Sequence, residues 1–236
     1  NVRGESDVDV VVELTSVFYN NLNQNQKNYL GLTTAEYNLT LFRQQVENCL
    51  TDYYGANNLA FGNKAIKIAP NNNRLDADVL VCCQYRYYTN IFSNTYYQGI
   101  RFVTRHTNEE VINFPKRHSD KASIKHQNSN SWFKPTVRIF KNIRNHLVYN
   151  HGFDKEVAPS YFIECLISNI PNNQFTTNYQ TTVWNVITYL SNNPINNFIC
   201  LNGARPLWGE TQENWSQENA LYFLGRIRNL WNNWNH

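Results

Sequence analysis

The sequence predicts an α+β protein with two lobes, because strand patterns dominate its first hundred residues and helical patterns dominate the rest. A polar, basic stretch separates the two patterns and places the boundary between about residues 104 and 135. The chain has 236 residues, 42% of them hydrophobic and 17% charged, which is enough to bury a core. No window approaches 18 consecutive apolar residues, so the sequence predicts no transmembrane helix.

The first half alternates short apolar runs with turn residues, as strands do. An acidic turn leads directly into a strand over residues 8–14, which is apolar on both faces beyond Asp9. We expect this strand to be central in its sheet, with its acidic end opening into a cleft. Apolar residues at helical spacing predict a helix over 35–54, and further strands are predicted over 64–68, 78–87 and 99–104.

The second half carries the helical pattern. Residues 113–131 are polar and basic, and we interpret them as a loop. A helix is predicted over 135–146 with Pro135 at its first position, where its missing N–H costs least. Further helices are predicted over 160–169, 178–190 and 213–234.

Acidic residues stand at the head of two predicted strands. Asp7 and Asp9 are two apart, so they project from the same face of the first strand. Adjacent carboxylates repel unless a cation lies between them, and Mg²⁺ prefers oxygen ligands of this kind. A solvated strand end is the alternative. Asp78 abuts the next long apolar run and would complete a two-metal site for phosphoryl transfer. Asp76 is either a supporting group or a turn residue.

A cationic stretch runs from residue 116 to residue 144, with eight Lys or Arg side chains and Asp120 as its one acid. Lys134, Arg138 and Lys141 are spaced four and three apart, so they share one helix face. A cationic face suits a metal–triphosphate ligand, although a solvated basic helix face is the plain alternative.

Ser160 and Tyr161 follow Pro159 at the start of a predicted helix. Free backbone N–H groups at a helix start favour anions, so Ser160 could contact phosphate. Its plain role is that of an N-cap. Tyr161 could stack on a base or pack in the core.

Other features narrow the class of protein. The net charge of +3 is too weak to predict binding of duplex nucleic acid. Five cysteines, an odd number without metal-ligand spacing, predict buried and reduced thiols in a cytoplasmic protein rather than a zinc site. The sequence has no Gly-rich phosphate loop and no G-x-S-x-G elbow.

Five motifs follow one another along the chain: Gly-x-Ser-Asp-Val-Asp-Val-Val-Val, Asp-Ala-Asp-Val, Pro-Lys-x-His, Phe-Lys-x-x-Val-Arg-Ile-x-Lys-Asn and Pro-Ser-Tyr-x-x-Glu-Cys-Leu. Taken in order, these motifs resemble the CD-NTase family, the cGAS/DncV-like nucleotidyltransferases of anti-phage CBASS systems, and within it the CdnE-like branch. The resemblance runs over nearly the whole chain, to about Trp234.

The resemblance implies a polymerase-β-like nucleotidyltransferase lobe with a mixed or antiparallel sheet, joined to a helical C-terminal lobe, with the active site in the cleft. It divides the chain into a catalytic lobe, 1–115, and a helical lobe, 116–236. Asp7, Asp9 and Asp78 match the catalytic, metal-binding carboxylates. The nucleotide-binding residues it implies are Lys141 on the donor triphosphate, Ser160 on phosphate and Tyr161 on a base, with Lys134 and Arg138 alongside.

The activity implied is the joining of nucleoside triphosphates into a cyclic di- or trinucleotide messenger, with two Mg²⁺ ions or Mn²⁺ in their place. We expect a cytoplasmic monomer that acts through a downstream effector, without membrane or duplex nucleic acid. Two alternatives remain open. One is a template-independent polymerase of linear products, such as a tRNA-tailing or oligoadenylate-type enzyme. The other is a degenerate member that only binds nucleotide.

Two features concern the start of the sequence. It contains no Met, so we expect residues upstream of Asn1. The family carries a Gly-Ser motif upstream of its Asp-x-Asp strand, and the sequence begins after the place of that motif.

Overall fold

The computed structural model describes residues 8–211 and 213–234. The chain divides into two units, residues 1–114 and 115–236. The first holds the sheet and the second is helical, so the predicted α+β class is confirmed. Within the described ranges, no helix is both long and apolar enough to cross a membrane.

The first unit is built on a six-stranded mixed sheet in which β4 is the longest strand. The strands are β1 (Val8–Asn20), β2 (Leu59–Phe61), β3 (Ile66–Ile68), β4 (Ala77–Asn90), β5 (Thr95–Val103) and β6 (Glu110–Asn113). Strands β2 to β6 follow one another in antiparallel order, and β1 pairs with β4 in parallel. The prediction of a central first strand is wrong for the described part of the sheet, where β1 has β4 as its strand neighbour.

Two helices, α1 (Gln24–Tyr29) and α2 (Leu39–Tyr54), separate β1 from β2. Helix α2 begins four residues later than predicted because the Asn38 side chain accepts hydrogen bonds from the amides of Thr40 and Leu41. Its apolar stripe packs on the face of the sheet that carries Val79 and Val81. The alternate residues of β4, including Asp78, therefore point to the opposite face.

The second unit is a bundle around one large apolar core. Its helices are α3 (Pro115–Asn128), α4 (Phe133–His151), α5 (Ser160–Ser168), α6 (Tyr179–Asn192) and α7 (Gln217–Asn232). Phe140, Ile163, Val186 and Phe223 are fully buried at its centre.

Helix α3 replaces the loop that the sequence predicted over residues 113–131. The prediction is wrong because Ala122 is the one buried residue of this helix, so an apolar stripe is barely visible. Its Lys, Arg, Ala and Gln residues are nevertheless good helix formers, and Pro115 stands at the first position.

Helix α4 also differs from its prediction. It begins at Phe133, so Pro135 is its third residue rather than its first. The helix continues five residues beyond the predicted end and stops at Gly152, whose φ of 62° is the left-handed conformation that glycine adopts readily.

Four of the five cysteines are buried and all five are free thiols. Burial raises the pKa of Cys82 to about 12 and that of Cys83 to about 11. Cys49 on α2 is exposed, so the prediction of buried thiols is wrong at that position.

Gly99 in β5 lies where the backbone of β6 approaches closely. A Cβ at Gly99 would meet the Asn113 carbonyl oxygen at 2.6 Å and the Phe114 ring at 2.8 Å. We expect Gly99→Ala to lower the free energy of unfolding by about 1–3 kcal/mol, measured by urea denaturation followed by circular dichroism.

The matched control for Gly99→Ala is Gly225→Ala in α7. A Cβ at Gly225 would have open space around it among the described atoms. Alanine there is expected to stabilise the helix by up to about 1 kcal/mol. Equal shifts in the two variants would contradict the packing argument.

Candidate active site

Two of the three predicted carboxylates lie side by side on the sheet. Asp9 in β1 and Asp78 in β4 are direct partners in the parallel register. Residues paired in this way project from the same face of strands about 4.8 Å apart, so their carboxylates are neighbours. Asp7, the third predicted residue, lies outside the described residues.

A lysine extends this row of charges across a third strand. Lys67 in β3 is the antiparallel partner of Asp78, and its Nζ lies 3.9 Å from the Asp78 Oδ1. The Lys67 side chain is 64% exposed, so the ion pair is weak and the ammonium is free to move towards another anion. Sequence reasoning missed Lys67, because the pairing of β3 with β4 leaves no local signal.

The chemistry of this donor set fits a divalent cation. Adjacent carboxylates repel each other, and a hard cation between them removes the repulsion. Carboxylate oxygens are also the ligands that Mg²⁺ prefers. Within the described residues, no group of three His, Cys, Asp or Glu side chains could hold a metal ion. The described part of the chain therefore offers the two carboxylates of Asp9 and Asp78.

Asp76 stands just before β4. Its carbonyl accepts a hydrogen bond of 3.0 Å from the Val8 amide. This bond begins the pairing of β1 with β4, so Asp76 contributes through its backbone to the alignment of Asp9 with Asp78.

In the helical unit, α4 and α5 meet along a polar seam. Lys141 Nζ contacts Glu164 Oε1, and one turn further along α4 the Arg144 Nη2 donates to Ser160 Oγ at 3.2 Å. Arg144 is buried and also donates to the Ala158 carbonyl at 2.7 Å, so it ties the start of α5 to α4. Arg144 is therefore a structural member of the basic stretch.

Lys134 and Arg138 lie on the same face of α4 as Lys141, as their spacing predicts. Arg138 is exposed, and Lys134 Nζ lies 3.5 Å from Ser123 Oγ. Partial burial, together with the charges of Lys134 and Arg138, lowers the pKa of His126 in α3. Lys134 and Arg138 add positive charge to that face, which favours an anionic ligand.

Ser160 is exposed and is the first residue of α5, with Pro159 before it as the N-cap residue. The interpretation of Ser160 as a side-chain cap is therefore wrong. Its hydroxyl oxygen accepts from Arg144 and can still donate its own proton.

Tyr161 has the core-packing role that the sequence offered as one of two interpretations, and its stacking on a base stays a prediction. The ring packs against the helical core, and one face stacks on His118 with centroids 5.0 Å apart at 28°. Its hydroxyl oxygen accepts from Asn202 Nδ2 at 2.9 Å. Burial raises the pKa of Tyr161 well above its ordinary value, so the phenol stays neutral.

Sequence reasoning missed roles for His118, Glu164 and Asn202. The first two stand in the motifs Pro-Lys-x-His and Pro-Ser-Tyr-x-x-Glu, yet neither motif shows which side chains meet. The structure brings both residues to Lys141 and Tyr161 through contacts between α3, α4 and α5.

The carboxylate pair on a mixed sheet, followed by a helical unit with a cationic face, fits the class of nucleotidyltransferases. Residues 120–232 match the sequence model of the cGAS/DncV-like nucleotidyltransferase C-terminal helical domain. The chain belongs to the CD-NTase family of nucleotidyltransferases, and to its CdnE-like members.

Similar proteins extend this result over the whole chain. A cyclic UMP-AMP synthase of Rhodothermus marinus is 42% identical over 236 residues, covering 99% of this chain and 81% of that protein. A cyclic nucleotide synthase of Staphylococcus haemolyticus is 35% identical over 247 residues, covering 99% of this chain and 81% of its own length. The structure of the Rhodothermus marinus synthase with Apcpp and Upnpp matches with a TM-score of 0.91 over 100% of this chain and 80% of that one.

Proposed function

We propose that this protein joins nucleoside triphosphates into a cyclic di- or trinucleotide by phosphoryl transfer. The observation that carries the proposal is the register pairing of Asp9 with Asp78, which places two oxygen donors side by side on one face of the sheet. The similar synthase of Rhodothermus marinus is named for a product of UMP and AMP. UTP and ATP are therefore the first substrates to test.

The chemistry divides among the residues as follows. Asp7, Asp9 and Asp78 hold two Mg²⁺ ions, for which Mn²⁺ can substitute. When bound, these ions supply charge neutralisation on the leaving pyrophosphate and increased acidity of the attacking ribose hydroxyl. Asp78 accepts the proton of that hydroxyl at a carboxylate oxygen.

The helical unit binds the nucleotides in this proposal. Lys141 donates to oxygens of the donor triphosphate, and Ser160 donates its hydroxyl proton to phosphate. Lys134 and Arg138 add positive charge beside them, and Tyr161 stacks on a base. Closure of a linear intermediate would then give a product without a terminal phosphate.

We further propose that the product is a messenger in anti-phage defence, read by a downstream effector, and that the enzyme acts as a cytoplasmic monomer. The CD-NTase assignment supports this biological role, and the small net charge of +3 agrees with an enzyme that needs no duplex nucleic acid.

The proposal is tested by product analysis. The full chain is incubated with four labelled nucleoside triphosphates and Mg²⁺ or Mn²⁺, treated with phosphatase and analysed by mass spectrometry. We expect a phosphatase-resistant mass that contains no terminal phosphate. A ladder of dephosphorylated linear chains would instead support a polymerase of linear products. The control variant carries Asp7→Ala and Asp9→Ala and is expected to be inactive.

A further inference from the structure

Glu164 occupies the centre of the polar seam between α4 and α5. It stands one turn beyond Ser160 and Tyr161 on α5. Its Oε1 contacts Lys141 Nζ, and its Oε2 lies 2.8 Å from His118 Nε2. One carboxylate therefore holds a side chain from α4 and another from α3.

Glu164 is ionised in this position. Burial by itself would raise the pKa of Glu164, but hydrogen bonds from His118 and Lys141 outweigh it and hold the pKa below its usual range. Each oxygen thus acts as a charged acceptor, and such hydrogen bonds are stronger than neutral ones.

The contacts continue from His118 to Tyr161, which stacks on a base in the proposed function. The His118 ring lies against one face of Tyr161, and Asn202 holds the Tyr161 hydroxyl. The backbone of Asn202 is also held in place, because its carbonyl accepts a hydrogen bond from Arg117 Nε at 2.5 Å. The orientation of Tyr161 is therefore fixed by His118 at the ring and by Asn202 at the hydroxyl, and His118 is in turn held by Glu164.

The contact with Glu164 fixes Lys141 and leaves it donors for phosphate. A Lys ammonium has three donors, so one hydrogen bond to Glu164 leaves two for phosphate oxygens. A free Lys side chain loses conformational entropy when it is fixed in one rotamer. Because Glu164 already holds Lys141, this entropy is lost before the ligand binds and does not reduce the binding affinity.

We propose that Glu164 is a positioning residue, which fixes Lys141 for the triphosphate and, through His118, fixes the Tyr161 ring for the base. The inference rests on the nucleotide-binding roles of Lys141 and Tyr161 in the proposed function.

The direction in which one substitution changes ligand affinity distinguishes a positioning residue from a carboxylate that merely lies nearby. A carboxylate near a polyanionic ligand repels it, so removing the charge of a bystander tightens binding. Glu164→Gln keeps the size of the side chain but supplies one acceptor oxygen for two donors. If Glu164 positions Lys141, the same variant weakens binding.

The experiment measures equilibrium binding to the full chain by calorimetry in Mg²⁺. The probes are a non-hydrolysable ATP analogue, which carries both base and triphosphate, and inorganic tripolyphosphate, which carries the phosphates alone. We expect Glu164→Gln to weaken both about tenfold. In a Lys141→Ala background, the same change should have no further effect on tripolyphosphate. Tighter or unchanged binding in the single variant would overturn the proposal, and so would equal weakening in the Lys141→Ala background.

Two variants divide the effect between phosphate and base. His118→Gln is expected to weaken the ATP analogue while tripolyphosphate binding stays within about twofold. Glu164→Asp keeps the charge on a shorter side chain and is expected to weaken both probes less than Glu164→Gln does. Loss of tripolyphosphate binding in His118→Gln would contradict the division of roles.

Glu218→Gln on α7 is the matched control, because Glu218 is exposed and carries the same charge. Its binding should equal that of the wild type. Melting curves for every variant exclude an effect of unfolding.

Wild-type binding of both probes without a cyclic product would reject the proposed function alone. Absence of tripolyphosphate binding in the wild type would reject the role of Lys141, and with it the inference about Glu164.

Discussion

Asp78→Asn is expected to reduce the rate of product formation at least about a thousandfold, because metal-assisted stabilisation of a phosphoryl-transfer transition state contributes several kcal/mol. Asn keeps the shape of the side chain but loses the negative charge that pairs with the cation and the basic oxygen that accepts a proton. The measurement is the initial rate with UTP and ATP at saturating Mg²⁺.

The same variant should leave the fold intact. Removing one of two adjacent carboxylates relieves repulsion with Asp9. The substitution also removes the ion pair with Lys67, which is exposed and worth at most about 1 kcal/mol. Asp52→Asn on the exposed side of α2 is the control and should keep full activity. Activity above about a tenth of the wild type in Asp78→Asn would contradict the assigned role, since each factor of ten corresponds to about 1.4 kcal/mol.

Phe140→Ala is expected to lower the free energy of unfolding of the helical unit by about 3–5 kcal/mol. Phe140 is completely buried at the centre of the core, on the side of α4 that faces away from the solvent. Truncation removes the apolar contacts of the ring and leaves a cavity that the neighbouring helices fill only in part.

The distribution of tryptophan makes this measurement selective. All six Trp residues lie at or after Trp132, so their fluorescence during denaturation reports on the helical unit. Tyr149→Ala on the same helix is the control, because that side chain is 80% exposed and should change stability little. A loss of equal size in both variants would show that the helix itself, rather than the core, was affected.

The carboxylate pair shows how far local sequence reasoning reaches. Two Asp residues at the heads of apolar strands were enough to predict Asp9 and Asp78, because hydrophobic alternation identifies strands and acidic turns stand out beside them. The strand pairing was not predictable in the same way. Lys67 reaches Asp78 because β3 and β4 pair in a particular register, which forms only when the sheet folds.

The error at α3 has a physical origin. That helix has one buried residue and exposes a basic surface, so its periodicity in hydrophobicity is weak. Contacts with the rest of the bundle stabilise it, including the hydrogen bond from Lys125 Nζ to the Ile170 carbonyl. Such contacts join residues distant in sequence, and no local pattern records them.

The sequence by itself determined the two-part layout, the acidic strand ends and the cationic face of α4, because each depends on residues a few positions apart. The tertiary structure alone decided that Glu164 joins Lys141 to His118 and that His118 lies on Tyr161. Those contacts require three helices to pack at particular angles, and packing is set by the whole core rather than by any one segment.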